Sequence, residues 1–271
     1  MSVFHYTDAN GLIGILSNKT LWVNDANYMN DTNEIKEGLI KFKDKFNNIG
    51  GDKALITAQF LDILIKNTYQ IGKFFVTSFC EKGNILDMWR GYGANGQKYA
   101  IEFDEDLLIA SLKTQYPESQ IELVNCIYKK DEIDLLINSQ VERWLSDDKA
   151  AVIEKKSEGL CLSIVIEKIM EIIVRPALSI KNYGFSSERE TRIIVSLPHN
   201  FHDVSHRSGA YGITPFIPFT FFNEAIKSIT IGPTRNFDCE RNSVNSLLKS
   251  NGILKTTSTE IIQISDITFR S

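Results

Sequence analysis

Short runs of apolar, β-branched and aromatic residues recur along the chain, and most are bounded by Asn, Asp, Gly or Pro. Such runs predict strands, in which successive side chains point to opposite faces of a sheet. The predicted strands cover residues 3–6, 21–23, 73–80, 98–103, 121–128, 178–181, 191–197, 213–222, 228–231 and 260–264. A polar stretch at residues 198–212 separates two of them and predicts a long loop.

Apolar residues spaced by three and four predict amphipathic helices between these strands. The first is capped by Asp8 and ends near residue 18, and the others cover about 34–47, 53–68, 84–90, 104–112, 131–174 and 236–249. Strands and helices alternate irregularly, with no internal repeat and no Pro/Gly/Ser-rich linker. The pattern therefore predicts a single α+β domain over residues 1–271, in which residues 131–174 form a helical layer or insertion.

Composition narrows the class of protein. The chain is 43% hydrophobic and 24% charged, which excludes disordered and collagen-like proteins. Four cysteines in 271 residues are too few for a disulfide scaffold, and the absence of a Cys-x-x-Cys pair argues against a cysteine zinc site. A net charge of −4 argues against broad binding of nucleic acid. No apolar run is long enough to span a membrane and the first residues do not form a signal peptide, so we expect a cytoplasmic protein without a membrane partner.

Several familiar catalytic motifs are missing from the sequence. It contains no phosphate-binding P-loop, no His-Glu-x-x-His and no Gly-x-Ser-x-Gly. Residues 91–96 spell Gly-x-Gly-x-x-Gly, but they follow a predicted helix and precede a strand, which predicts a turn rather than a dinucleotide site. His199, His202 and His206 lie in the polar loop, where a solvated segment is a better interpretation than a metal site.

Three other segments place polar side chains at predicted strands. His5 lies in the first strand, Thr77 and Ser78 are adjacent in an apolar strand, and Glu188 and Glu190 precede the strand at 191–197. Each segment also has an ordinary explanation. His5 would be a histidine of the core, the two hydroxyl residues would lie at a strand edge that tolerates them, and the glutamates would lie in an exposed turn. Two carboxylates at this spacing project to the same side of an extended segment, and their repulsion is expected to raise one pKa.

Longer stretches carry a resemblance to a family. The N-terminal sequence FHYTDANGLIGILSNKTLWVNDANYMNDTNE, Ser78-Phe79, the WRGYG segment at 89–93, Glu188-x-Glu190-x-Arg192 and Gly232-Pro233 resemble a widespread bacterial family of unknown function, over roughly residues 3–235. The order of the His, Thr-Ser and Glu-x-Glu segments also resembles, more remotely, the ADP-ribosyltransferases, in particular the DarT-like enzymes that modify DNA bases. This second resemblance implies a split β-sheet core and NAD as co-substrate.

The ADP-ribosyltransferase resemblance also implies roles for individual residues. His5 would bind the adenosine ribose or a phosphate, and Thr77 or Ser78 would orient the nicotinamide ribose. Tyr92 or Tyr6 would stack on nicotinamide. Arg90, on the WRGYG segment, is placed to bind the pyrophosphate. Glu190, with Glu188 as its partner, would bind the ribose 2′-hydroxyl, although the Glu-x-Glu pattern leaves open which of the two is catalytic.

These roles suit the cleavage of the nicotinamide–ribose bond, in which a carboxylate stabilises positive charge developing on the sugar. We therefore expect an NAD-consuming ADP-ribosyltransferase-like enzyme acting on a nucleic-acid or protein acceptor, in a toxin or antiviral defence role that the resemblance implies. Three alternatives stay open. They are an NAD glycohydrolase, a non-catalytic module that binds a nucleotide or nucleic acid, and a metal-dependent nuclease using Glu188, Glu190, Asp31 and the histidine loop.

Overall fold

A computed structural model describes residues 1–29, 34–68, 73–91, 97–147, 160–198, 200–209, 212–253 and 261–267. The strands of this part of the chain are β1 (Ser2–Asp8), β2 (Thr20–Asp25), β3 (Lys73–Cys80), β4 (Lys98–Asp104), β5 (Gln120–Asn125), β6 (Glu190–Leu197), β7 (Ser205–Gly209), β8 (Gly212–Thr220), β9 (Ile226–Ile231) and β10 (Ile262–Ile264). The helices are α1 (Ala9–Asn18), α2 (Glu34–Ile49), α3 (Asp52–Lys66), α4 (Leu86–Gly91), α5 (Glu105–Gln115), α6 (Lys130–Ser146), α7 (Leu160–Ile169), α8 (Arg175–Ala177) and α9 (Phe237–Ser250). The α+β class predicted from the sequence is confirmed.

The strand β1 passes directly into α1 through the cap that the sequence predicts. The carboxylate of Asp8 accepts a hydrogen bond from the backbone N–H of Gly11 at 2.8 Å, which satisfies one of the free donors of the first helical turn. Asp104 ends β4 and caps α5 in the same way, bonding the N–H groups of Asp106 and Leu107. Both helices therefore start at fixed positions relative to the sheet.

The strands form one mostly antiparallel sheet that forks at β3. The order is β10-β9-β4-β1-β3-β2-β8-β7, and β6 pairs with β3 and carries β5 on its other side. One edge of β3 pairs with β6 along its whole length. The other edge is shared, because Cys80 pairs with Phe4 of β1, whereas Phe75 and Val76 pair with β2. The strands β1 and β2 therefore diverge beside Ser78, between these two pairings.

Helices cover both faces of the sheet. On one face, α2, α3, α6 and the helical stretch from α7 to α8 enclose a core against β3 and β6, in which Phe42, Phe46 and Trp144 are fully buried. On the opposite face, α1, α5 and α9 pack on a second core that includes Phe79 and Phe103. A small third cluster under α4 contains Tyr6 and Trp89. The predicted helical region at 131–174 is thus, where described, part of a layer that also includes α2 and α3.

Two predictions from the hydrophobic pattern are wrong. Residues 178–181 do not form a strand of the sheet but make one isolated parallel bridge, between Ile127 and Ile180. The predicted loop at 198–212 contains β7, which forms a hairpin with β8. Its sequence, Ser-His-Arg-Ser-Gly, has no apolar alternation because β7 lies at the edge of the sheet. Within the described helices, none combines the length and apolar character that a membrane span needs.

Candidate functional site

A small cavity lies beside the fork of the sheet, where three of the polar segments singled out in the sequence meet. Its volume is about 20 Å³, which is room for roughly one water molecule. The lining residues are Phe4, His5 and Tyr6 of β1, Ser78, Phe79 and Cys80 of β3, Met88 of α4, and Glu188 and Glu190. Residues more than 180 positions apart are brought together because β1 and β6 pair with β3 on opposite edges at Cys80.

Both glutamates are held by one lysine that the sequence analysis did not select. Lys181 Nζ lies 2.6 Å from Oε2 of Glu190 and 2.7 Å from Oε2 of Glu188. The intervening Arg189 adopts a left-handed backbone conformation, with φ of 46°, at the end of the 3₁₀ turn Tyr183–Glu188. The two carboxylates do reach a common point, as the spacing predicts, but through this turn rather than through an extended segment.

Glu190 is buried and its carboxylate is fully engaged. Its side chain is 4% exposed, Oε1 accepts from Arg192 Nε at 2.7 Å, and Oε2 accepts from both Arg192 Nη2 and Lys181. Arg192 is itself anchored by donating to the carbonyl of Leu178 at 2.7 Å. The backbone N–H of Glu190 donates to the Tyr128 hydroxyl. These contacts fix the position of the carboxylate from three directions.

The electrostatics of Glu190 differ from the sequence-based expectation. Burial opposes ionisation, but the attraction and hydrogen bonds of Arg192 and then of Lys181 outweigh it and lower the pKa of Glu190 to about 2. The expected rise of the pKa through repulsion between the two carboxylates is therefore wrong for Glu190, because the attraction of Arg192 and Lys181 dominates at its carboxylate. Glu190 is a permanent anion at physiological pH.

His5 lies in the gap between the diverging strands. Its Nδ1 is 3.3 Å from the carbonyl oxygen of Ser78, and its ring is edge-on to Phe79 at 5.9 Å between centroids. Burial lowers the pKa of His5, while the bond to Ser78 acts in the other direction. The neutral imidazole then donates its Nδ1 proton, since a carbonyl can only accept. His5 thus joins β1 to β3 where backbone pairing stops.

The alternation of β3 distinguishes the two hydroxyl residues of that strand. Ser78 lies opposite Arg192 in the pairing with β6, and therefore on the same face of the sheet as Glu190. Thr77 lies opposite Ile193, on the other face, where it is buried. Only Ser78 lines the cavity. Of the two serine/threonine candidates, the fold therefore brings Ser78 to the carboxylates and directs Thr77 into the opposite core.

The remaining predicted site residues are placed differently. Tyr6 lines the cavity, and its hydroxyl donates to the carbonyl of Lys82 and accepts from the N–H of Ile85, both at 2.9 Å. Arg90 lies on the last turn of α4 with an exposed side chain, and it is not among the residues that line the cavity. Tyr92 lies outside the described residues. Tyr6 is thus brought to the site, whereas Arg90 is not.

The two residues that the sequence analysis missed are Lys181 and Cys80. Lys181 directly follows the short apolar stretch at 178–180, which is buried in the core. A charged side chain at the end of a buried stretch is the one feature of the sequence that could have indicated it. Phe185 also contacts it, with Nζ 4.9 Å from the centre of that ring. Cys80 lines the cavity opposite Glu190, and burial together with the two glutamates raises the pKa of its thiol. The thiol is therefore protonated and a poor nucleophile as long as it stays buried.

Other candidate sites are less well formed. A larger hollow of about 320 Å³ lies on the surface of α5, between Ile109 and Leu123, but it is open to solvent and none of the predicted site residues lines it. Of the histidine loop, His202 and His206 are described, whereas His199 and also Asp31 lie outside the described residues. Across the described ranges, no group of three His, Cys, Asp or Glu side chains is arranged to hold a metal ion.

Comparison with known proteins finds a family model that matches the central part of the chain. A family model described as a protein of unknown function, DUF2971, matches residues 88–193. The match starts in α4 and ends in β6, so it includes Lys181, Glu188, Glu190 and Arg192. The predicted resemblance to a family of unknown function is confirmed over this range. No curated protein and no solved structure matches the chain, so the resemblance to ADP-ribosyltransferases stays a prediction.

Proposed function

We propose that the cavity at the sheet fork is the catalytic site of an NAD-consuming, ADP-ribosyltransferase-like enzyme. The observation that carries this proposal is the convergence of three distant segments. His5, Ser78 and the pair Glu188 and Glu190, which the resemblance selects for NAD binding, all line one cavity. Ordinary roles for each residue taken singly would not require them to meet.

The geometry supports different roles for the two carboxylates. Glu190 is 4% exposed and both of its oxygens are bound by cations, whereas Glu188 is 21% exposed and Lys181 holds one of its oxygens. We assign the contact with substrate to Glu188 and a positioning role to Glu190, which fixes Lys181. This order reverses the preference drawn from the sequence.

In the proposed reaction the bond between C1′ of the ribose and the nicotinamide nitrogen breaks, and nicotinamide leaves as a neutral ring with the bonding electrons. Glu188 would accept a hydrogen bond from the ribose 2′-hydroxyl and stabilise the positive charge that develops on the sugar. Ser78 would orient the same ribose. An acceptor oxygen or nitrogen then bonds to C1′ and releases its proton to solvent.

A nucleotide-binding module without turnover is the second candidate, and the charge balance of the cluster favours it. Lys181 and Arg192 match Glu188 and Glu190 in number, so the negative charge available to stabilise a cationic sugar is small. Such a module would use Ser78 and Tyr6 for recognition. It predicts saturable binding of a nucleotide without release of nicotinamide.

The experiment that separates these functions is nicotinamide release from NAD by the purified protein in the presence of EDTA. Release without additions indicates that water is the acceptor, as in an NAD glycohydrolase. Release only with DNA, RNA or a protein extract identifies the class of acceptor of a transferase. Binding of NAD without release under any of these conditions would contradict the enzyme and support the module. A toxin or antiviral defence role is tested by expressing active and inactive variants in bacteria and comparing growth.

A further inference from the structure

The cavity is too small to admit a ligand without a change in the protein. At about 20 Å³ it is far smaller than sites that hold small organic ligands, which are about 300–1,000 Å³. A nicotinamide ring or any other planar group can enter only if one wall moves. Met88 forms the wall contributed by α4, and its side chain is buried on the cavity. The segment that carries Met88 is therefore the first place to look for an opening.

Residues 82–91, which we call the lid, contact the rest of the protein through a few identifiable groups. On the inner side, the Tyr6 hydroxyl bonds the backbone of Lys82 and Ile85. At the far end, Lys98 Nζ donates to the carbonyl of Trp89 at 2.5 Å. The indole of Trp89 is fully buried, and its Nε1 donates to Asn84 Oδ1 at 2.8 Å, which braces the lid internally.

Asn84 also ties the lid to the C-terminal part of the chain. Its Oδ1 accepts from Ser265 Oγ at 2.7 Å, and its Nδ2 donates to the carboxylate of Asp266. Residues 265–267, which we call the strap, are held on the sheet in turn, because the N–H of Ser265 donates to the carbonyl of Ile231 at 2.8 Å. Ile267 packs against the cluster under α4. The strap therefore connects the outer surface of the lid to the sheet.

We propose that the strap is a latch, and that its side-chain bonds to Asn84 keep the lid closed over the cavity. These bonds add to the burial of Met88 and Trp89, which also holds the lid on the cluster under α4. Opening of the lid is then a local event that leaves the strands paired. Release of the strap then admits the ligand. The role of the latch in admitting substrate rests on the proposed function. The opening of the lid itself can be measured without any substrate.

Cys80 provides the probe. It lines the cavity behind Met88 and is 4% exposed, so a thiol reagent reaches it only when the cavity opens. Cys126 is buried beside Glu190 but does not line the cavity, so it reports unfolding that goes beyond the opening of the cavity. Cys239 is exposed and reports the intrinsic reactivity of the reagent. The experiment measures the rate of alkylation of each cysteine by N-ethylmaleimide in the native protein, using peptide mass spectrometry.

The variants are Asn84→Ala and Ser265→Ala, and each has a matched control. Asn18→Ala is the control for Asn84→Ala, because Asn18 is also exposed and donates to the carbonyl of Gly14 in its own helix. Ser119→Ala is the control for Ser265→Ala, because Ser119 is partly buried and its hydroxyl donates to the nearby carbonyl of Tyr116. We expect Cys80 to react at least tenfold faster in Asn84→Ala and in Ser265→Ala than in the wild type, while the rate at Cys126 stays unchanged. In both control variants Cys80 should react at the wild-type rate. The double variant should react no faster than about the faster single variant, because both changes break the same latch.

An unchanged alkylation rate of Cys80 in both Asn84→Ala and Ser265→Ala would overturn the proposal of a latch. A parallel rise at Cys80 and Cys126 would also overturn it, because it indicates global unfolding. Hydrogen exchange of peptides covering residues 82–91 gives a second readout, which should rise in the same two variants. Neither measurement uses NAD, so failure of the latch is distinguished from failure of the proposed enzymatic activity, which is read from nicotinamide release alone.

Discussion

Lys181 Nζ lies 2.6 Å from Oε2 of Glu190, and both side chains are more than nine-tenths buried. The same ammonium also contacts Glu188, so one cation sets the separation of the two carboxylates of the site. Lys181 follows α8 and its backbone bonds Ile127, whereas Glu190 begins β6. The pair therefore connects the helical layer to the strand that carries the candidate catalytic segment.

Replacement of Lys181 by methionine should strongly destabilise the protein. The change leaves two carboxylates close together with only Arg192 to compensate, and breaking a buried ion pair by removing one partner costs roughly 3–5 kcal/mol. Urea unfolding at pH 7 measures this loss. Lys129→Met is the control, because Lys129 forms an exposed pair with Glu132, and its unfolding midpoint should match the wild type. Equal midpoints for the two variants would contradict a structural role for Lys181.

Glu190 should make stability depend on acid pH in a specific window. Its folded pKa of about 2 is below the ordinary value of 4.5, so the stabilisation is complete above pH 4.5 and is lost as the pH falls towards 2. The shift corresponds to about 3 kcal/mol. Unfolding free energies of the wild type and Glu190→Gln should therefore differ most at neutral pH and converge on acidification. A difference that stays constant between pH 6 and pH 3 would exclude this coupling.

His5 should titrate below its ordinary pKa of 6.5. Because burial lowers the folded pKa, the unfolded chain takes up a proton first, and stability present above pH 6.5 is lost as the pH falls further. Imidazole NMR of the native protein measures the pKa and the tautomer, and we expect the proton on Nδ1. The His5→Gln variant should lack the corresponding pH dependence of unfolding. A native pKa at or above 6.5 would contradict the conclusion that burial outweighs the hydrogen bond to Ser78 at His5.

Tyr6→Phe should loosen the lid without disturbing the sheet. The substitution removes the hydroxyl that bonds Lys82 and Ile85, and it leaves an N–H and a carbonyl without that partner, at a cost of about 1–3 kcal/mol. Hydrogen exchange at Ile85 should accelerate while the strands keep their protection. Tyr116→Phe, which removes a single bond to the carbonyl of Pro218, is the matched control. Unchanged exchange at Ile85 would show that the hydroxyl does not hold the lid.

The hydrophobic pattern predicts the architecture better than it predicts the site. Strands that carry continuous apolar runs, such as β3 and β6, are evident because their side chains are buried on both faces of the sheet. The edge strand β7 is not evident, because its polar residues gain strand structure only by pairing with β8. Likewise, Ser78 and Thr77 are equivalent in sequence, and only the register with β6 shows which of them faces the carboxylates.

Lys181 shows why the electrostatics of the site could not be derived from the sequence. A single lysine near residue 180 has many possible environments, and its contacts with Glu188 and Glu190 depend on how α8 and β6 meet. The same holds for Asn84, whose partners Ser265 and Asp266 are about 180 residues away. The bonds of Asn84 to Ser265 and Asp266 therefore carry no local spacing in the sequence. The Lys181 pairs are seven and nine residues apart, but they form through the 3₁₀ turn and the left-handed Arg189 rather than through a regular helix or strand.

The most direct test of the central claim compares nicotinamide release from NAD by the wild type, Glu188→Gln and Glu122→Gln under the same conditions. Glu188 lines the cavity, and Glu122 is an equivalent charge on β5 away from it. We expect measurable release by the wild type and by Glu122→Gln, and a loss of at least 100-fold in Glu188→Gln with an unchanged unfolding midpoint. Nicotinamide release by Glu188→Gln at the rate of the wild type would contradict the assignment of this cavity as an NAD-consuming site. The absence of release by the wild type with any acceptor would contradict it as well.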